Sequence, residues 1–310
     1  MQISVNVLGR RGPDAACACL AHLRGRLPEG MRLRLLDDSP HPAVARAFPA
    51  AEIVRLPGGR GSSGAHNRGL RRAVTDGDDA VLLLSVDARP TAGFLAPLLE
   101  VMKMRPRAAF VSPKILLARS PRQIWYAGGR IDWWRGLAIR RGAGTTDDGR
   151  FDRPAPTDFA TAVTMLVRRQ AFDRTGAMDE SYVDHLHDVD WSVRARAVGM
   201  EVHYQPRSRV LYAAPDADRM DPWARIAPPR ESPRELRRSR LRLVANHGRW
   251  YHWPTVAPRV AADATTTALR ATTTALRGWR RLGSPSQPAP AGRAPERADR
   301  APGGRGPYAG

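Results

Sequence analysis

The apolar run "AVLLLSVDARP", residues 80–90, decides the fold. It begins with Ala, Val and Leu without a polar break and then reaches an acid, Asp87. Near-continuous Val and Leu runs are typical of strands that are buried on both faces, as in a parallel sheet covered by helices. Ligands of such sheets bind beyond the carboxyl ends of the strands. The stretch therefore predicts a central strand that delivers Asp87 to a binding site.

The flanking sequence alternates between strand and helix patterns. Strands are predicted in "MQISVNVLG", "MRLRLLDDS", "AEIVRLP", "AAFVSPKIL", "IWYAGGRID" and "TAVTMLVRR". Helices are predicted in "PDAACACLAHLRGRL", around "AHNRGLRRAV", in "QAFDRTG" and in "DVDWSVRARAVG", the last ending at Gly199 with Val189, Val193 and Ala197 on one stripe. This alternation predicts the α/β class, with a mostly parallel central sheet and helices on both faces.

The pattern loosens beyond residue 215. We predict one domain over residues 1–215, followed by a basic, partly helical extension over residues 216–282. In this extension "RESPRELRRSRLRLVANHGRW" predicts a basic helix, and the heptad "ATTTALR" occurs twice from Ala264 to Arg277. Residues 283–310 are mostly Pro, Ala, Gly and Arg, a composition that cannot bury a core, so we expect this tail to be disordered.

Composition narrows the class of protein. The two cysteines, Cys17 and Cys19, are too close in sequence for an ordinary disulfide, and no other thiols are present to complete a zinc site. No apolar run approaches the roughly 20 residues that span a bilayer. The sequence therefore predicts a cytoplasmic protein.

Positive charge is concentrated near the C-terminus. The formal net charge is +20, and the residues after Asp218 include 18 Arg, no Lys and 6 acids. Such a segment indicates a polyanionic neighbour, either anionic lipid or nucleic acid, or else Arg placed wherever the surface needs a cation. Few aromatics alternate with these arginines and no nucleic-acid module is recognisable, so nucleic acid is the less favoured partner. The aromatic segment "WYHWP", Trp250 to Pro254, is either an interfacial anchor or a packed corner.

Two features of the first half have both a functional and an ordinary interpretation. The loop "GGRGSSGAHNRGL", which starts at Gly58, could bring backbone amides to a phosphate, or it is a flexible turn. Asp87 could ligate a divalent cation that bridges to a diphosphate, or it is a solvated residue at a strand end.

The densest acids lie in "DESYVDHLHDVD", residues 179–190. Loop solvation and the helix dipole explain most of them. Asp190 is four residues from Arg194, a spacing that predicts a local ion pair. Asp188, which has His185 and His187 beside it, is the candidate for abstracting a proton, because neighbouring acids raise the pKa of a carboxyl toward the range of a base.

In this order, the segments resemble the family 2 glycosyltransferases with the GT-A fold, and in particular the bacterial rhamnosyltransferase-like branch. The segments that show the resemblance are "LLDDSP", "GGRGSSGAHNRGL", "VLLLSVDARP", "IWYAGGRID" and the run from "TAVTMLVRR" to "EVHYQP". The resemblance covers roughly residues 1–212. It implies a nucleotide-sugar half over residues 1–105 and an acceptor half over residues 106–215.

The resemblance also implies roles for individual residues. It places Asp37, Asp38, Asn67, Gly69 and Asp87 on the donor side, with Asp87 holding Mg²⁺ or Mn²⁺. On the acceptor side it implies Asp188 as the base that deprotonates a hydroxyl, in an inverting single displacement. Contacts to the acceptor would come from Asp179, Glu180, His187 and Asp190.

Four features differ from the family pattern. The first strand ends in "VNVLGRRG" where the family usually has a Tyr-Asn or similar pair. Ser85 replaces the first acid of the metal motif, His187 the Glu before the catalytic Asp, and Tyr212 a late His. The leading hypothesis is a transferase that uses a UDP- or dTDP-linked sugar and a cell-envelope or secondary-metabolite acceptor. If the acceptor is lipid-linked, the basic C-terminus would hold the protein at the inner face of the membrane. The alternative is a degenerate GT-A domain that binds a nucleotide sugar or a partner without turnover.

Overall fold

The computed structural model describes residues 1–9, 12–37, 42–56, 61–213 and 233–262. The strands are β1 (Ile3–Gly9), β2 (Arg32–Asp37), β3 (Ala51–Arg55), β4 (Ala80–Ser85), β5 (Ala88–Pro90), β6 (Ala108–Leu117), β7 (Ile124–Tyr126), β8 (Gly129–Asp132), β9 (Leu137–Arg140), β10 (Ala155–Pro156), β11 (Thr164–Arg168) and β12 (Glu201–Tyr212). The helices are α1 (Pro13–Leu23), α2 (Pro42–Ala47), α3 (Gly61–Thr75), α4 (Leu95–Met104), α5 (Arg169–Thr175), α6 (His187–Ala197) and α7 (Pro233–His247), with a 3₁₀ turn at Trp250–His252.

One large sheet organises the domain. Its strand order is β10-β12-β6-β11-β4-β1-β2-β3, with β5 paired to β12 and β7 to β6. Strands β1 to β4 are mutually parallel and β12 is parallel to β6, whereas β11 runs antiparallel between β4 and β6. A separate hairpin is formed by β8 and β9. The predicted α/β class with a mostly parallel central sheet is confirmed.

Helices cover both faces of the sheet because the strand side chains alternate between two apolar clusters. Leu82 and Leu84 of β4 belong to one cluster, with residues of α1 and α4, whereas Leu83 belongs to the other, with residues of α3, α5 and α6. All three side chains are fully buried. Each buried leucine stabilises the fold by about 1.5–3 kcal/mol relative to an exposed one.

Three local predictions differ from the structure. Helix α3 begins at Gly61 and so includes much of the predicted Gly-rich loop. Strand β4 ends at Ser85, which leaves Asp87 in the turn before β5. The predicted apolar stripe of α6 is right for Val189, which is buried, and for Val193, which packs against the same apolar cluster, but Ala197 is exposed. A second face of α6 packs as well: Trp191 and Ala195 are fully buried in the other apolar cluster, where the indole ring buries a large apolar area.

The described part of the C-terminal extension packs on this domain. Residues Met1–Thr265 form one compact unit. The predicted basic helix is α7, whose Leu243 lies in the main apolar cluster. Buried Arg240 donates hydrogen bonds to the carbonyls of Arg135 and Gly136. The predicted boundary near residue 215 stays a prediction, and the "ATTTALR" repeat and the tail lie outside the described residues.

None of the helices in the described part of the chain is long and apolar enough to cross a membrane.

Candidate active site

A cavity of about 180 Å³ lies at the carboxyl ends of β1 and β4. Leu8 of β1 and Ser85 of β4 are register partners in the sheet, and both line it. The start of α3, the loop before β11 and the start of α6 complete the wall. The polar lining residues are Ser62, His66, Ser85, Arg140, Thr161, Asp184, His185, His187, Asp188 and Tyr212. The cavity is therefore where ligands of open α/β sheets bind.

The chain enters α6 through a strained residue. Leu186 has φ 63°, in the left-handed region, and is the one non-glycine residue with positive φ among those described. This conformation costs an ordinary residue about 1–2 kcal/mol. His187 and Asp188, the first two residues of α6, follow this turn, and both line the cavity. Strain of this kind persists where the surrounding structure holds it, often at functional sites.

Asp188 is held in place at the start of α6. Its Oδ2 accepts a hydrogen bond from the amide of Ala162 at 3.0 Å, and its Oδ1 accepts one from the amide of Val189 at 2.9 Å. A carboxylate has about four lone-pair sites, so each oxygen can accept a further proton donor. The geometry thus fixes the orientation of the carboxylate and leaves it able to receive a proton.

Histidines surround this carboxylate. His187 is 5% exposed, and neither of its ring nitrogens has a hydrogen-bond partner among the described residues. The ring of His66, from α3, lies 6.0 Å from that of His187 between centroids. Burial, and then the nearby His187, lowers the pKa of His185 to about 4, so His185 is neutral at physiological pH. The cavity therefore presents imidazole nitrogens beside Asp188.

A buried cation that also lines the cavity, Arg140, was missed by the sequence analysis. Arg140 of β9 is 8% exposed, and its guanidinium lies 4.0 Å from the ring centroid of Trp125. Trp125 in turn packs on Tyr212, with ring centroids 4.8 Å apart. Burial lowers the pKa of Arg140 to about 10, so this side chain stays charged at neutral pH. In a chain this rich in Arg, no sequence signal distinguished Arg140 from its neighbours.

The acidic loop before α6, residues 179–186, is hydrogen-bonded to the start of α3. Asp184 Oδ1 accepts hydrogen bonds from the backbone amide and the hydroxyl of Ser62, both at 2.8 Å. Gly61 has φ 63°, and a Cβ there would lie 2.4 Å from the carbonyl oxygen of Val183. A glycine is therefore required where α3 meets this loop. The role of Asp184 was also missed, because no spacing in the sequence connects it to residues 61 and 62.

Two of the residues predicted on the donor side lie inside the packing of α3. Asn67 is fully buried, its Nδ2 donates to the carbonyl of Met178 at 2.9 Å and to Glu180 at 3.0 Å, and its Oδ1 accepts from the amide of Met178 at 2.8 Å. A Cβ on Gly69 would lie 2.7 Å from Asn6. The structure thus shows Asn67 as a link to the acidic loop and Gly69 as a close approach of helix to sheet.

The remaining donor-side acids follow strands. Asp37 ends β2 and is 3% exposed, while Asp38 lies outside the described residues. Asp87 lies two residues beyond Ser85, and its backbone amide donates to Ser85 Oγ at 3.3 Å. The backbone carbonyl of Asp87 accepts from the amide of Ala213, next to Tyr212. The turn therefore brings Asp87 close to Ser85 and to the chain at Tyr212, two positions that differ from the family pattern.

The chemistry of these side chains limits how a metal could bind. Within the described ranges, no three His, Cys, Asp or Glu side chains are grouped so as to hold an ion. Around the turn after β4, the hard oxygen ligands are one carboxylate, Asp87, and the hydroxyls of Ser85 and Tyr212. Mg²⁺ is often bound by one or two carboxylates together with substrate phosphates. The set fits an ion that arrives with a diphosphate and does not fit an ion held by protein groups alone.

The other predicted acceptor-side acids are engaged with the protein. Asp179 accepts hydrogen bonds from the amide and the hydroxyl of Ser181, at 2.9 and 2.5 Å. Glu180 accepts a hydrogen bond from Nδ2 of Asn67 at 3.0 Å. Asp190 is 2% exposed and bonded to Arg194 at 2.9 Å, so the predicted ion pair is confirmed. Among the acids predicted from the sequence, Asp188 is the one that the structure brings to the cavity wall.

Sequence comparison connects the chain with enzymes that act on a lipid-linked sugar. No family model matches it. The N-acetylglucosaminyl-diphospho-decaprenol L-rhamnosyltransferases of two Mycobacterium tuberculosis strains are 26% identical over 241 residues, which cover 70% of this chain and 74% of theirs.

Structure comparison gives the fold. GalNAc-T7 with UDP, GalNAc and Mn²⁺ aligns with a TM-score of 0.61 at 16% identity, over 82% of this chain and 50% of its own. A mannosyltransferase from Pyrobaculum calidifontis with GDP-Man and Mn²⁺ aligns with a TM-score of 0.50 at 16% identity, over 90% of this chain and 82% of its own. The GT-A fold, the resemblance to the rhamnosyltransferase-like branch and the enzyme class of glycosyltransferases are confirmed.

Proposed function

We propose that this glycosyltransferase moves a sugar, in the first instance L-rhamnose, from a UDP- or dTDP-linked donor to a hydroxyl group of a lipid-linked acceptor. The observation that supports this most directly is the fixed carboxylate of Asp188 in the cavity at the carboxyl ends of β1 and β4. The rhamnosyltransferases that resemble the chain support the sugar and the type of acceptor. A secondary-metabolite hydroxyl is the other acceptor class that the sequence predicts.

Asp188 serves as the base in a single displacement. The acceptor oxygen loses its proton to the carboxylate as it forms a bond to the anomeric carbon of the donor. The bond from that carbon to the diphosphate breaks at the same time, and its electron pair leaves with the diphosphate. Attack from the side opposite the leaving group inverts the anomeric configuration.

Charge on the departing diphosphate requires a positive group. Arg140 is positively charged and lines the cavity, so it supplies a positive group there. Mg²⁺ or Mn²⁺ held by Asp87 and the donor phosphates would supply further positive charge, and both structural relatives contain Mn²⁺. We assign the nucleoside to Asp37 and Asp38 at the end of β2. Asn67 and Gly69 contribute by positioning α3 beneath the donor.

The acceptor side is the wall formed by α6 and the loop before it. His187 binds a hydroxyl of the acceptor, because both of its buried ring nitrogens lack a partner among the described residues and a hydroxyl can either donate to or accept from an imidazole nitrogen. Asp179 and Glu180 shape the loop that meets the acceptor. Asp190 acts indirectly, since its ion pair with Arg194 holds α6 in position.

The enzyme works in the cytoplasm, at the inner face of the membrane, where its basic C-terminal segment meets anionic lipid. Anionic headgroups attract clustered Arg residues, by about 1 kcal/mol for each one near the surface. Besides the buried Arg240, residues 233–262 contain six Arg residues against one acid, which supports this location.

Calorimetric titration tests the donor site. UDP and dTDP are titrated, each with and without Mn²⁺, into the wild type and the Asp87→Ala variant. We expect Mn²⁺ to tighten nucleotide binding to the wild type and to have no effect on the variant. Asp173→Ala, which removes an exposed carboxylate of α5, is the matched control. A nucleotide affinity that changes neither with Mn²⁺ nor with Asp87→Ala would refute the role of Asp87. Nucleotide binding without sugar transfer would indicate a binding module.

A further inference from the structure

Tryptophan side chains form an exposed aromatic surface on one side of the molecule. Trp250 is 82% exposed, Trp134 is 55% exposed and Trp253 is 37% exposed. The ring of Tyr251 lies between two of them, 5.7 Å from Trp134 and 5.8 Å from Trp250 between centroids. We name Trp134, Trp250, Tyr251 and Trp253 the tryptophan face. Contiguous exposed aromatics, unlike single ones, mark a surface that binds something.

The tryptophan face is part of the packed structure. Trp134 belongs to the turn of the β8–β9 hairpin, whereas the other three residues follow α7. Thr255 donates a hydrogen bond to the carbonyl of Trp134 at 2.8 Å, across 121 residues of sequence. His252 is 7% exposed and stacks on Trp133 at 6.2 Å. The contacts of His252 and Thr255 therefore hold the exposed rings in place. Of the two sequence interpretations of Trp250 to Pro254, the packed corner is observed, and the same corner exposes aromatic rings.

Positive charge borders the same surface. Arg135 and Arg249 flank Trp134 and Trp250 in sequence, and Arg259 donates to the carbonyl of Trp134 at 3.3 Å. The side chain of Arg135 is 61% exposed and lies 3.8 Å from Asp132. Trp and Tyr favour the headgroup level of a bilayer, and Arg is attracted to anionic lipid. Two copies of so basic a surface would repel each other, which disfavours self-association.

We propose that the tryptophan face seats the enzyme on an anionic bilayer, with its indole rings at the level of the lipid headgroups. The inference rests on the proposed function, since it gives the enzyme a reason to be at the membrane. The hairpin links the two surfaces: Trp134 lies in its turn and Arg140, six residues later, lines the cavity. Six residues of strand span at most about 20 Å. Binding of the tryptophan face to the bilayer therefore brings the cavity close to the sugar of a lipid-linked acceptor.

Vesicle co-sedimentation of the full chain tests the proposal. The probes are vesicles of phosphatidylcholine alone and of phosphatidylcholine mixed with phosphatidylglycerol. We expect the wild type to bind the mixed vesicles, and the double variant Trp134→Ala, Trp250→Ala to bind them about tenfold or more weakly, because two large aromatics no longer enter the interface. Raised salt screens the Arg contribution and leaves the aromatic one. Met104→Ala, which removes an apolar side chain that is 70% exposed on α4, is the control.

The outcomes separate this inference from the proposed function. Equal vesicle binding by the double variant and the wild type overturns the inference. A lipid-free wild-type dimer that the double variant converts to a monomer in sedimentation equilibrium also overturns it, since the face would then join two copies. In the expected case, the double variant binds UDP like the wild type and loses transfer to acceptor in vesicles. Vesicle binding by a wild type that binds no nucleotide would instead refute the proposed function alone.

Discussion

A carboxylate oxygen of Asp190 and Nε2 of His247 lie 2.7 Å apart, and they join the first turn of α6 to the last residue of α7. The other carboxylate oxygen of Asp190 bonds to Arg194 at 2.9 Å. Asp190 is 2% exposed, so these contacts are shielded from water. The helix that bears Asp188 is thus fastened to the C-terminal extension through its buried neighbour.

Removing Asp190 should destabilise the fold. We expect Asp190→Ala to lower the free energy of unfolding by about 1.5–3 kcal/mol, because it removes the charge-assisted hydrogen bonds that the buried carboxylate makes. His247→Gln should cost less, about 1 kcal/mol, since one hydrogen bond is weakened. Urea denaturation measures both. A loss below that of His247→Gln would show that the ion pair does not stabilise the helix.

Removing the base should abolish transfer while nucleotide binding persists. We expect Asp188→Asn to lower kcat by about 10²–10⁴-fold, the usual contribution of a general base. The donor side is untouched, so UDP binding should stay at the wild-type value. Asp173→Asn on the surface of α5 serves as the control. Transfer that survives Asp188→Asn unchanged would refute this assignment.

His187→Phe separates function from stability. The imidazole has two buried nitrogens without partners among the described residues, so an aromatic ring without polar atoms should not lower the Tm. The same change should raise KM for the acceptor about tenfold or more, because a hydrogen bond to the acceptor is lost. Kinetics with a lipid-linked N-acetylglucosamine acceptor and dTDP-L-rhamnose would measure it. A large fall in Tm with unchanged KM would make His187 a structural residue.

Replacing Arg140 should weaken binding of the nucleotide donor. We expect Arg140→Met to weaken UDP binding about tenfold or more, since a charge-assisted hydrogen bond contributes about 1.5–3 kcal/mol. Arg140→Lys should recover part of the affinity, because it keeps the charge without the planar fork. The exposed Arg130 of the same hairpin gives the control Arg130→Met. If calorimetry gives Arg140→Met, Arg140→Lys and Arg130→Met the same affinity for UDP, Arg140 does not bind the diphosphate.

His185 should make stability depend on pH. Burial holds its pKa near 4, below the value of 6.5 for an exposed histidine, so between these values the unfolded chain takes up a proton that the folded one does not. Stability from this group is present above pH 6.5 and is lost as the pH falls to 4, by up to about 3 kcal/mol. Urea denaturation across this range should show a shallower loss for His185→Gln than for the wild type. Parallel curves would contradict the buried, neutral state.

Much of the fold was predictable because it depends on local patterns. Val and Leu runs such as residues 81–84 and the start of α1 at Pro13 are written in adjacent residues, and the structure has them where expected. The second packed face of α6 was not predicted because it depends on a distant neighbour: Trp191 lies 4.6 Å from Phe110 of β6 between ring centroids. Periodicity alone does not show which face meets the larger side chain.

The candidate site was predicted in part. Asp188 was identified from its acidic and histidine neighbours and again from the resemblance. The structure brings it to the cavity together with Ser85, His187 and Tyr212, three of the positions that differ from the family. Arg140 and Asp184 were not identified, because each becomes significant only through a residue far away in sequence. Asp184 meets Ser62 across 122 residues.

The sequence by itself determined the alternation of strands and helices, the acids at strand ends and the basic C-terminus, since these follow from the order of apolar, polar and charged residues. Tertiary structure decided which acids are engaged in the fold and which remains at the cavity, because hydrogen bonds and burial depend on contacts between distant segments. It also decided that α7 packs on the domain and that the tryptophans around it face outward. A one-dimensional pattern records the types of side chain, whereas their neighbours in space set their charge, exposure and chemical role.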